Sequence, residues 1–213
     1  MFIIGLTGGI ACGKSAASDE LRKFGAVTFD IDRETYKLLQ PGGELYKNYV
    51  EHFGESILFE NGSLNKRLIG EIIFHDEEER QWINSVAHPV LLNRTRDFLV
   101  KCAEHGVELV VLEIPLLFEA GWEFLVDEVW AVYVPNNLQI FRLVERDKIT
   151  PQQAIARIRT QLPQSEIRRR ADLAILNKGD RRKLQKKIRE IINSRWKYGI
   201  KRIADVEPLF NDC

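Results

Sequence analysis

The segment Gly8-Gly9-Ile10-Ala11-Cys12-Gly13-Lys14-Ser15 fits the pattern G-x-x-x-x-G-K-[ST] at every position. In such a loop the backbone curls so that successive N–H groups point at phosphate oxygens, and the next helix directs its positive end at the same anion. The lysine reaches the β- and γ-phosphates of a nucleoside triphosphate, and the following hydroxyl is a ligand for Mg²⁺. The pattern therefore predicts a phosphate-binding loop in which Lys14 is catalytic and Ser15 binds the metal.

The elements around this loop match the setting that it requires. Residues 2–6 form a short apolar run that predicts a strand, and apolar residues recur at helical spacing over residues 14–24. This order disfavours the alternative of a glycine-rich turn with an incidental lysine. Cys12 is predicted to have no catalytic role, only a sensitivity to alkylation, because a helix N-terminus can lower the pKa of a nearby thiol.

Strands and helices alternate along the rest of the chain. Further strands are predicted at residues 27–29, 108–114, 128–134 and 173–176. Helical patterns are found at residues 45–53, 64–74, 77–102, 138–146, 151–160 and 181–198. This alternation predicts an α/β fold whose parallel sheet has helices on both faces and binds ligands at the carboxyl ends of its strands. The long helical interval 36–104 predicts a subdomain that covers the substrate.

Two acidic residues, Asp30 and Asp32, end the second predicted strand. We expect that strand to lie beside the first, as in a simple βαβ unit, so that both carboxylates point the same way and lie near the γ-phosphate. One could accept the proton of an attacking hydroxyl, and the other could hold water on the metal. One could instead cap a helix that begins near Arg33, and Asp30 suits that role better than Asp32. The residues alone do not assign the base.

Arginines that follow the fourth strand could stabilise a transferring phosphoryl group. Arg142 and Arg146 share one face of a predicted helix, and Arg157 and Arg159 lie on the next. Such cations commonly lie on a segment that closes over the substrate and excludes water. The sequence predicts a helical lid at about 142–162, in which Arg157 and Arg159 fit ordinary exposed positions.

The composition excludes several classes of function. The 31 basic residues balance the 31 acidic ones, and aromatic residues do not interleave with basic ones, so no nucleic-acid partner is expected. Three scattered cysteines without metal-ligand spacing fit a reducing cytoplasm. A secretory signal and an uninterrupted apolar span are both lacking, so no membrane partner is expected. Nothing in the sequence indicates an oligomeric state.

The chain resembles the dephospho-CoA kinase family over essentially its whole length to about Tyr198. The resemblance rests on the loop and on short motifs that follow in order: Asp30-Ile31-Asp32, Ile72-Ile73-Phe74, His88-Pro89, Pro115-Leu116-Leu117-Phe118-Glu119, Arg146-Asp147, Gln161, Ala171-Asp172 and Asn177-Lys178-Gly179. It implies an ATP-dependent kinase that, with Mg²⁺, phosphorylates the ribose 3′-hydroxyl of dephospho-CoA to give CoA and ADP, the last step of coenzyme A biosynthesis.

The resemblance also implies a domain organisation. A single kinase domain is expected over about 1–200, with a P-loop NTPase-type core at about 1–35 and 105–200. A helical CoA-binding insertion is expected at about 36–104, and the lid at about 142–162. The tail, 201–213, matches no part of the family pattern that assigns it a role.

By this resemblance each motif has a role in the site. Asp32 acts as base toward the 3′-hydroxyl, and Arg146 stabilises the transferring phosphoryl group. ATP is bound by Arg142, by Asn177 at the adenine, and by the loop residues Gly9, Ile10, Ala11, Cys12, Gly13, Lys14, Ser15 and Ala16. The acceptor is bound by Asp32, His88, Leu116, Leu117 and Glu119.

Three positions depart from the family pattern, and one of them is Ala16, which replaces the common threonine after Ser15. Ala11 stands where glycine is usual, and because its Cβ restricts the backbone, its φ is expected to be negative. Lys66 stands where arginine is usual, and lysine is not equivalent in a bidentate anion contact. The resemblance therefore constrains the acceptor affinity less than the reaction type.

Two other functions fit part of the pattern. Residues 177–180 spell N-K-x-D, a guanine-reading signature of GTP-dependent switch proteins, but no Asp of the chain has glycine three residues later, as the γ-phosphate sensor of those proteins requires. The other alternative keeps the kinase chemistry and changes the acceptor to a nucleoside, a nucleoside monophosphate or another small alcohol. The 115–119 block and the segment with His88 favour dephospho-CoA.

Overall fold

A computed structural model describes residues 1–196 of the chain, and the tail and Tyr198 lie outside these residues. The strands are β1 (Phe2–Thr7), β2 (Val27–Asp30), β3 (Leu109–Glu113), β4 (Glu128–Tyr133) and β5 (Leu173–Leu176). The helices are α1 (Lys14–Lys23), α2 (Ile31–Leu38), α3 (Glu44–Phe53), α4 (Lys66–His75), α5 (Glu77–Glu104), α6 (Asn136–Asp147), α7 (Pro151–Arg159), α8 (Gln164–Arg170) and α9 (Arg181–Arg195). Short 3₁₀ turns occur at Glu55–Ile57 and Glu123–Leu125.

The five strands form one parallel sheet in the order β2-β3-β1-β4-β5. This confirms the predicted α/β fold, but the expectation that β2 lies beside β1 was wrong, because β3 lies between them. Every residue of β3 is buried, whereas β2 is mostly half-buried. A strand that is buried along its whole length gains most from neighbours on both sides, and the less apolar β2 occupies the edge.

One face of the sheet carries the main hydrophobic core. Ile4 and Leu6 of β1 and Trp130 and Val132 of β4 lie on this face, and α1 and α9 cover it with the buried residues Ala17, Leu21, Leu184, Ile188 and Ile192. On α9 these buried residues recur every four positions, which is the spacing that puts an apolar stripe on one side of a helix. This packing fixes α1, and therefore the loop before it, against the carboxyl end of β1.

The chain divides into two compact units, Met1–Asp30 with the chain from Val100 onward, and Ile31–Leu99. The first unit contains the whole sheet. The second contains α2, α3, α4 and most of α5, and its buried residues include Leu45, Tyr49 and Ile69. Along the described part of the chain, no helix is both long and apolar enough to cross a membrane.

The α2 helix changes how the two aspartates are placed. β2 ends at Asp30 and α2 begins at Ile31, so Asp32 is the second residue of a helix. The expectation that Asp30 and Asp32 alternate along one strand and point the same way was therefore wrong, because helical residues advance by about 100° each. Asp30 directly precedes α2, which is the position that a helix-capping aspartate occupies.

Gly8 has the tightest backbone contact in the loop region, and we expect Gly8→Ala to destabilise the protein by about 3 kcal/mol. A Cβ at Gly8 would lie 2.1 Å from the Val132 carbonyl oxygen, and the φ of 139° is unfavourable for a residue with a side chain. Urea unfolding of the variant measures the loss. Gly106→Ala is the control, because Gly106 has a φ of 69° and no atom within 4 Å of the added Cβ. It should lose only about 1 kcal/mol, and equal losses would contradict the steric account.

Candidate active site

The phosphate-binding loop runs from the end of β1 to the first residue of α1. Gly13 has a φ of 100° at the N-terminus of α1, and a Cβ there would lie 2.5 Å from Asn177 Nδ2. Glycine is therefore required at this position both for its conformation and for its close contact. The Lys14 Nζ atom donates hydrogen bonds to the carbonyl oxygens of Gly8 at 2.8 Å and Gly9 at 3.3 Å. Lys14 thus folds back across the loop, and the exposed Ser15 follows it on α1.

Ala11 has a φ of 59°, so the expectation of a negative φ was wrong. The added Cβ does raise the energy of this left-handed conformation. Here the surrounding contacts hold the loop in that conformation in spite of the Cβ.

The Cys12 side chain is fully buried, and its Sγ atom donates to Gln164 Oε1 at 3.3 Å. Burial raises the pKa of the Cys12 thiol to about 11, although the charge of Lys14 acts in the opposite direction. Burial and a raised pKa both oppose the suggested sensitivity to alkylation, because the thiolate is the form that reacts.

We expect iodoacetamide at pH 7.5 to modify Cys12 of the native protein at least a hundredfold more slowly than an unfolded control. A pKa that is higher by about two units lowers the thiolate fraction about a hundredfold, and burial slows access further. Site-resolved mass spectrometry measures both rates. Comparable rates in native and urea-unfolded protein would contradict the buried, protonated thiol.

Asn177, directly after β5, contacts the phosphate-binding loop, and Arg142 of α6 contacts the segment that follows β5. Asn177 Nδ2 donates to the Cys12 carbonyl oxygen at 2.9 Å, and its Oδ1 is buried with no hydrogen-bond partner among the described residues. The Arg142 guanidinium donates to the Gly179 carbonyl oxygen at 2.8 Å. Arg142 thus orders the loop after β5, and the structure does not place it as an exposed phosphate ligand. Asp180 accepts the backbone N–H of Lys183 and caps α9, which gives the last residue of the N-K-x-D match a structural role.

Glu113 is a carboxylate that the sequence reasoning did not select. It ends β3 and pairs in register with Leu6 of β1 on one side and Asp30 of β2 on the other. Burial raises the pKa of the Glu113 carboxyl, and the nearby Asp30 raises it too, whereas Arg22 and Lys14 lower it. The sequence feature that could have indicated Glu113 is an acidic residue near the end of an otherwise apolar strand, just before Pro115. This feature points to the phosphate-binding loop only when β3 is known to be the neighbour of β1.

Two of the four arginines of the predicted lid, Arg146 and Arg157, contact one carboxylate. Arg146 contacts Asp147 through Nε at 2.7 Å and through a terminal nitrogen at 3.3 Å. Arg157 contacts the same carboxylate at 2.6 Å. Hydrogen bonds from Arg146 lower the pKa of Asp147. Both arginine side chains are more than half exposed, so the cluster lies at the surface of the first unit.

Three predicted acceptor-binding residues lie in the 115–119 block, and one of them is buried while two are exposed. Leu116 is exposed, whereas Leu117 is fully buried and packs against Gly5. The side chain of Leu117 therefore belongs to the core and presents no surface to an acceptor. Glu119 is exposed, and its Oε1 accepts the backbone N–H of Leu162 at 2.8 Å.

The remaining predicted residues belong to the second unit. Asp32 is exposed near the start of α2. His88 is half-buried inside α5, and burial lowers its pKa. Because α5 begins at Glu77, His88-Pro89 lies inside the helix and does not mark its start. Lys66 begins α4, and its Nζ lies 4.0 Å from the centre of the Tyr36 ring, a cation–π distance.

The parallel sheet, the complete phosphate-binding loop and the buried contacts around it define a P-loop kinase. The same fold occurs in a shikimate kinase from Bacteroides thetaiotaomicron, with a TM-score of 0.53 and 14% identity over 92% of this chain and 98% of that one. Within that class, the model of the dephospho-CoA kinase family matches residues 2–183. The chain belongs to the dephospho-CoA kinase family.

Individual relatives agree with the family model. A dephospho-CoA kinase from Carboxydothermus hydrogenoformans is 40% identical over 92% of this chain and 95% of its own length. The solved dephospho-CoA kinase from Campylobacter jejuni has a TM-score of 0.66 and 25% identity, over 92% of this chain and 97% of that chain.

Proposed function

We propose that this chain transfers the γ-phosphoryl group of ATP to the ribose 3′-hydroxyl of dephospho-CoA, giving CoA and ADP. The observation that carries the proposal is the phosphate-binding loop at the carboxyl end of β1, in a chain that the family model matches over residues 2–183. Loop amides and the α1 N-terminus supply the positive field that a triphosphate requires. Lys14 then moves from the Gly8 and Gly9 carbonyls to the β- and γ-phosphates.

The residues around the loop fit a divalent metal ion, which we propose to be Mg²⁺. Ser15 offers a hydroxyl, and Glu113 and Asp30 offer carboxylates at neighbouring strand ends, so all the donors are oxygens, as Mg²⁺ prefers. No group of three or more His, Cys, Asp or Glu side chains within residues 1–196 could hold a metal alone. This agrees with a cation held largely by substrate phosphates and water. When bound, it neutralises charge on the phosphates, and Ser15 would hold it.

We propose Asp32 as the base and the second unit as the acceptor-binding part. An exposed carboxylate at the start of α2 can accept the proton of the 3′-hydroxyl as the phosphoryl group transfers. His88, Leu116 and Glu119 are proposed to contact the acceptor, and Arg146 to stabilise the transferring group. Lys66 can contact an anionic group of the acceptor as a point charge, without the bidentate geometry of arginine.

Asn177 supports ATP as the donor. The buried, unpartnered Oδ1 of Asn177 can accept a hydrogen bond from the 6-amino group of adenine, which guanine lacks. ATP is abundant in the cytoplasm, and we propose that the protein works there.

The test is ADP release by the purified protein with Mg²⁺, comparing dephospho-CoA with a nucleoside, several nucleoside monophosphates and no acceptor. We expect turnover only with dephospho-CoA, and at least tenfold faster with ATP than with GTP. Activity with another alcohol and none with dephospho-CoA would support phosphoryl transfer but contradict dephospho-CoA as the acceptor. A preference for GTP would reject the role of Asn177.

A further inference from the structure

The strained residue of the phosphate loop, Ala11, lies directly after Ile10, whose backbone N–H and C=O groups are each bound by a glutamine. Ala11 and Lys148 are the two non-glycine residues with positive φ within residues 1–196. A strained backbone conformation persists where the surrounding structure over-determines it. For Ala11, the contacts that hold the strained conformation are made by the preceding residue, Ile10.

Ile10 is bound on both sides by side-chain amides. Its backbone N–H donates to Gln161 Oε1 at 2.8 Å, and its carbonyl oxygen accepts Gln139 Nε2 at 2.9 Å. The Ile10 carbonyl belongs to the same planar peptide as the Ala11 N–H. The hydrogen bond from Gln139 therefore fixes the orientation of the peptide plane relative to which the φ of Ala11 is measured. Gln139 lies on α6 and is 1% exposed, whereas Gln161 follows α7 and is half-buried.

A third glutamine, Gln164, fixes the orientation of the Gln139 amide. Gln164 Oε1 accepts the backbone N–H of Val134 at 2.9 Å and the Cys12 thiol at 3.3 Å. Gln164 Nε2 donates to Gln139 Oε1 at 2.7 Å and to Asn136 Oδ1 at 3.1 Å. The Gln164 oxygen faces two donors and its nitrogen faces two acceptors, so a flip of this amide would break all four hydrogen bonds. Because Gln164 donates to the Gln139 oxygen, the Gln139 nitrogen must face Ile10. We refer to Gln139, Gln161 and Gln164 as the glutamine clamp.

We propose that the glutamine clamp holds the left-handed conformation of Ala11, and that Gln161 is a positioning residue for the phosphate loop. The inference rests on the proposed function, because the loop conformation matters through ATP. If the clamp is weakened, the strained loop spends less time in the conformation that binds phosphate, and the apparent affinity falls by that fraction. Once ATP is bound the loop is restored, so the rate of the chemical step changes little.

The first test measures ATP dissociation constants by titration calorimetry for Gln161→Met, Ala11→Gly, the double variant and the unaltered chain. Methionine keeps the length of glutamine and removes the acceptor. We expect Gln161→Met to weaken ATP binding about fivefold when residue 11 is alanine, the effect of one lost hydrogen bond. When residue 11 is glycine, the same change should weaken binding less than twofold, because glycine adopts the left-handed conformation without strain. In both backgrounds kcat should change less than twofold on Gln161→Met.

The matched control is Gln152→Met, the same chemical change at an exposed position on α7. It should leave ATP affinity within the error of the measurement. Equal losses from Gln161→Met in the unaltered chain and in the Ala11→Gly background would overturn the proposal, because Gln161 would then act independently of the strained turn.

The second test needs no nucleotide, so it separates the clamp from the proposed function. We expect hydrogen exchange of the Ile10 amide, measured by NMR, to be at least tenfold faster in Gln161→Met than in the unaltered chain. In Gln161→Glu, which keeps an acceptor oxygen, protection should be retained. Unchanged protection in Gln161→Met would overturn the clamp, whereas protection with no ATP binding by the unaltered chain would reject the proposed function instead.

Discussion

Asp32→Asn is expected to lower kcat about a thousandfold while ATP affinity changes less than twofold. A general base contributes about 10² to 10⁴ in rate, and asparagine cannot accept the proton of the attacking hydroxyl. The proposed contacts to the triphosphate come from the loop amides, Lys14 and the α1 N-terminus, and Asp32 on α2 is not among them. We therefore expect ATP affinity to depend little on the charge of Asp32. Rapid-quench measurement of the chemical step, with ATP titrations in parallel, gives both quantities.

Asp30→Asn is the matched control for this prediction. It makes the same chemical change two residues away, at the end of β2 beside the buried Glu113. Removal of the Asp30 charge takes away one cause of the raised Glu113 pKa and one carboxylate near the proposed metal ion. The proposed base stays in place, and substrate phosphates and water supply most ligands of such an ion, so we expect kcat to fall less than tenfold. If Asp30→Asn abolished turnover with ATP binding intact, and Asp32→Asn stayed active, the two roles would be reversed.

Arg146→Gln should also lower kcat by about a thousandfold, the lower end of the contribution of an arginine that stabilises a transferring phosphoryl group. In the structure Arg146 is paired with Asp147 at the surface, and this pairing must be exchanged for the phosphoryl group during transfer. An exposed ion pair contributes little to stability, so the exchange costs little. Arg146→Lys should not rescue the rate, because lysine lacks the planar fork.

Arg157→Gln separates this role from general charge at the surface. Arg157 binds the same Asp147 carboxylate and is similarly exposed. Its replacement removes the same charge from the same cluster, and we expect kcat to change less than tenfold. Single-turnover rates for the two variants at saturating ATP decide between them. A larger loss of kcat from Arg157→Gln than from Arg146→Gln would assign the stabilising role to Arg157.

The phosphate-binding loop could be predicted from the sequence because its determinants are local. The loop spacing and its flanking apolar runs lie within residues 2–24, and local patterns also predicted β5 and the starts of α5, α7 and α9. The helix α8 was missed because three consecutive arginines near its end obscure an apolar period. The helix α2 was predicted only as an alternative that begins near Arg33, because Asp30-Ile31-Asp32 looked like the continued alternation of a strand.

The neighbours of the loop could not be predicted, because they depend on strand order. A chain that crosses from β2 through residues 31–99 can return to either side of β1, and the sequence pattern is similar for both. Once β3 is known to lie between β1 and β2, Glu113 becomes the carboxylate that pairs in register with Leu6, near the carboxyl end of β1. The contact between Gln139 and Ile10 shows the same limitation. Gln139 lies 129 positions after Ile10, and it binds the carbonyl of the peptide that precedes the strained Ala11.

The position of the new phosphate on the product decides whether the proposed reaction is correct. The unaltered protein is incubated with ATP, Mg²⁺ and dephospho-CoA, and the product is examined by two-dimensional ³¹P–¹H NMR. We predict ADP and CoA in equal amounts, with the new phosphorus coupled to the ribose 3′ proton. A phosphate coupled to the 2′ proton, or ADP release that does not depend on dephospho-CoA, would contradict the proposed function.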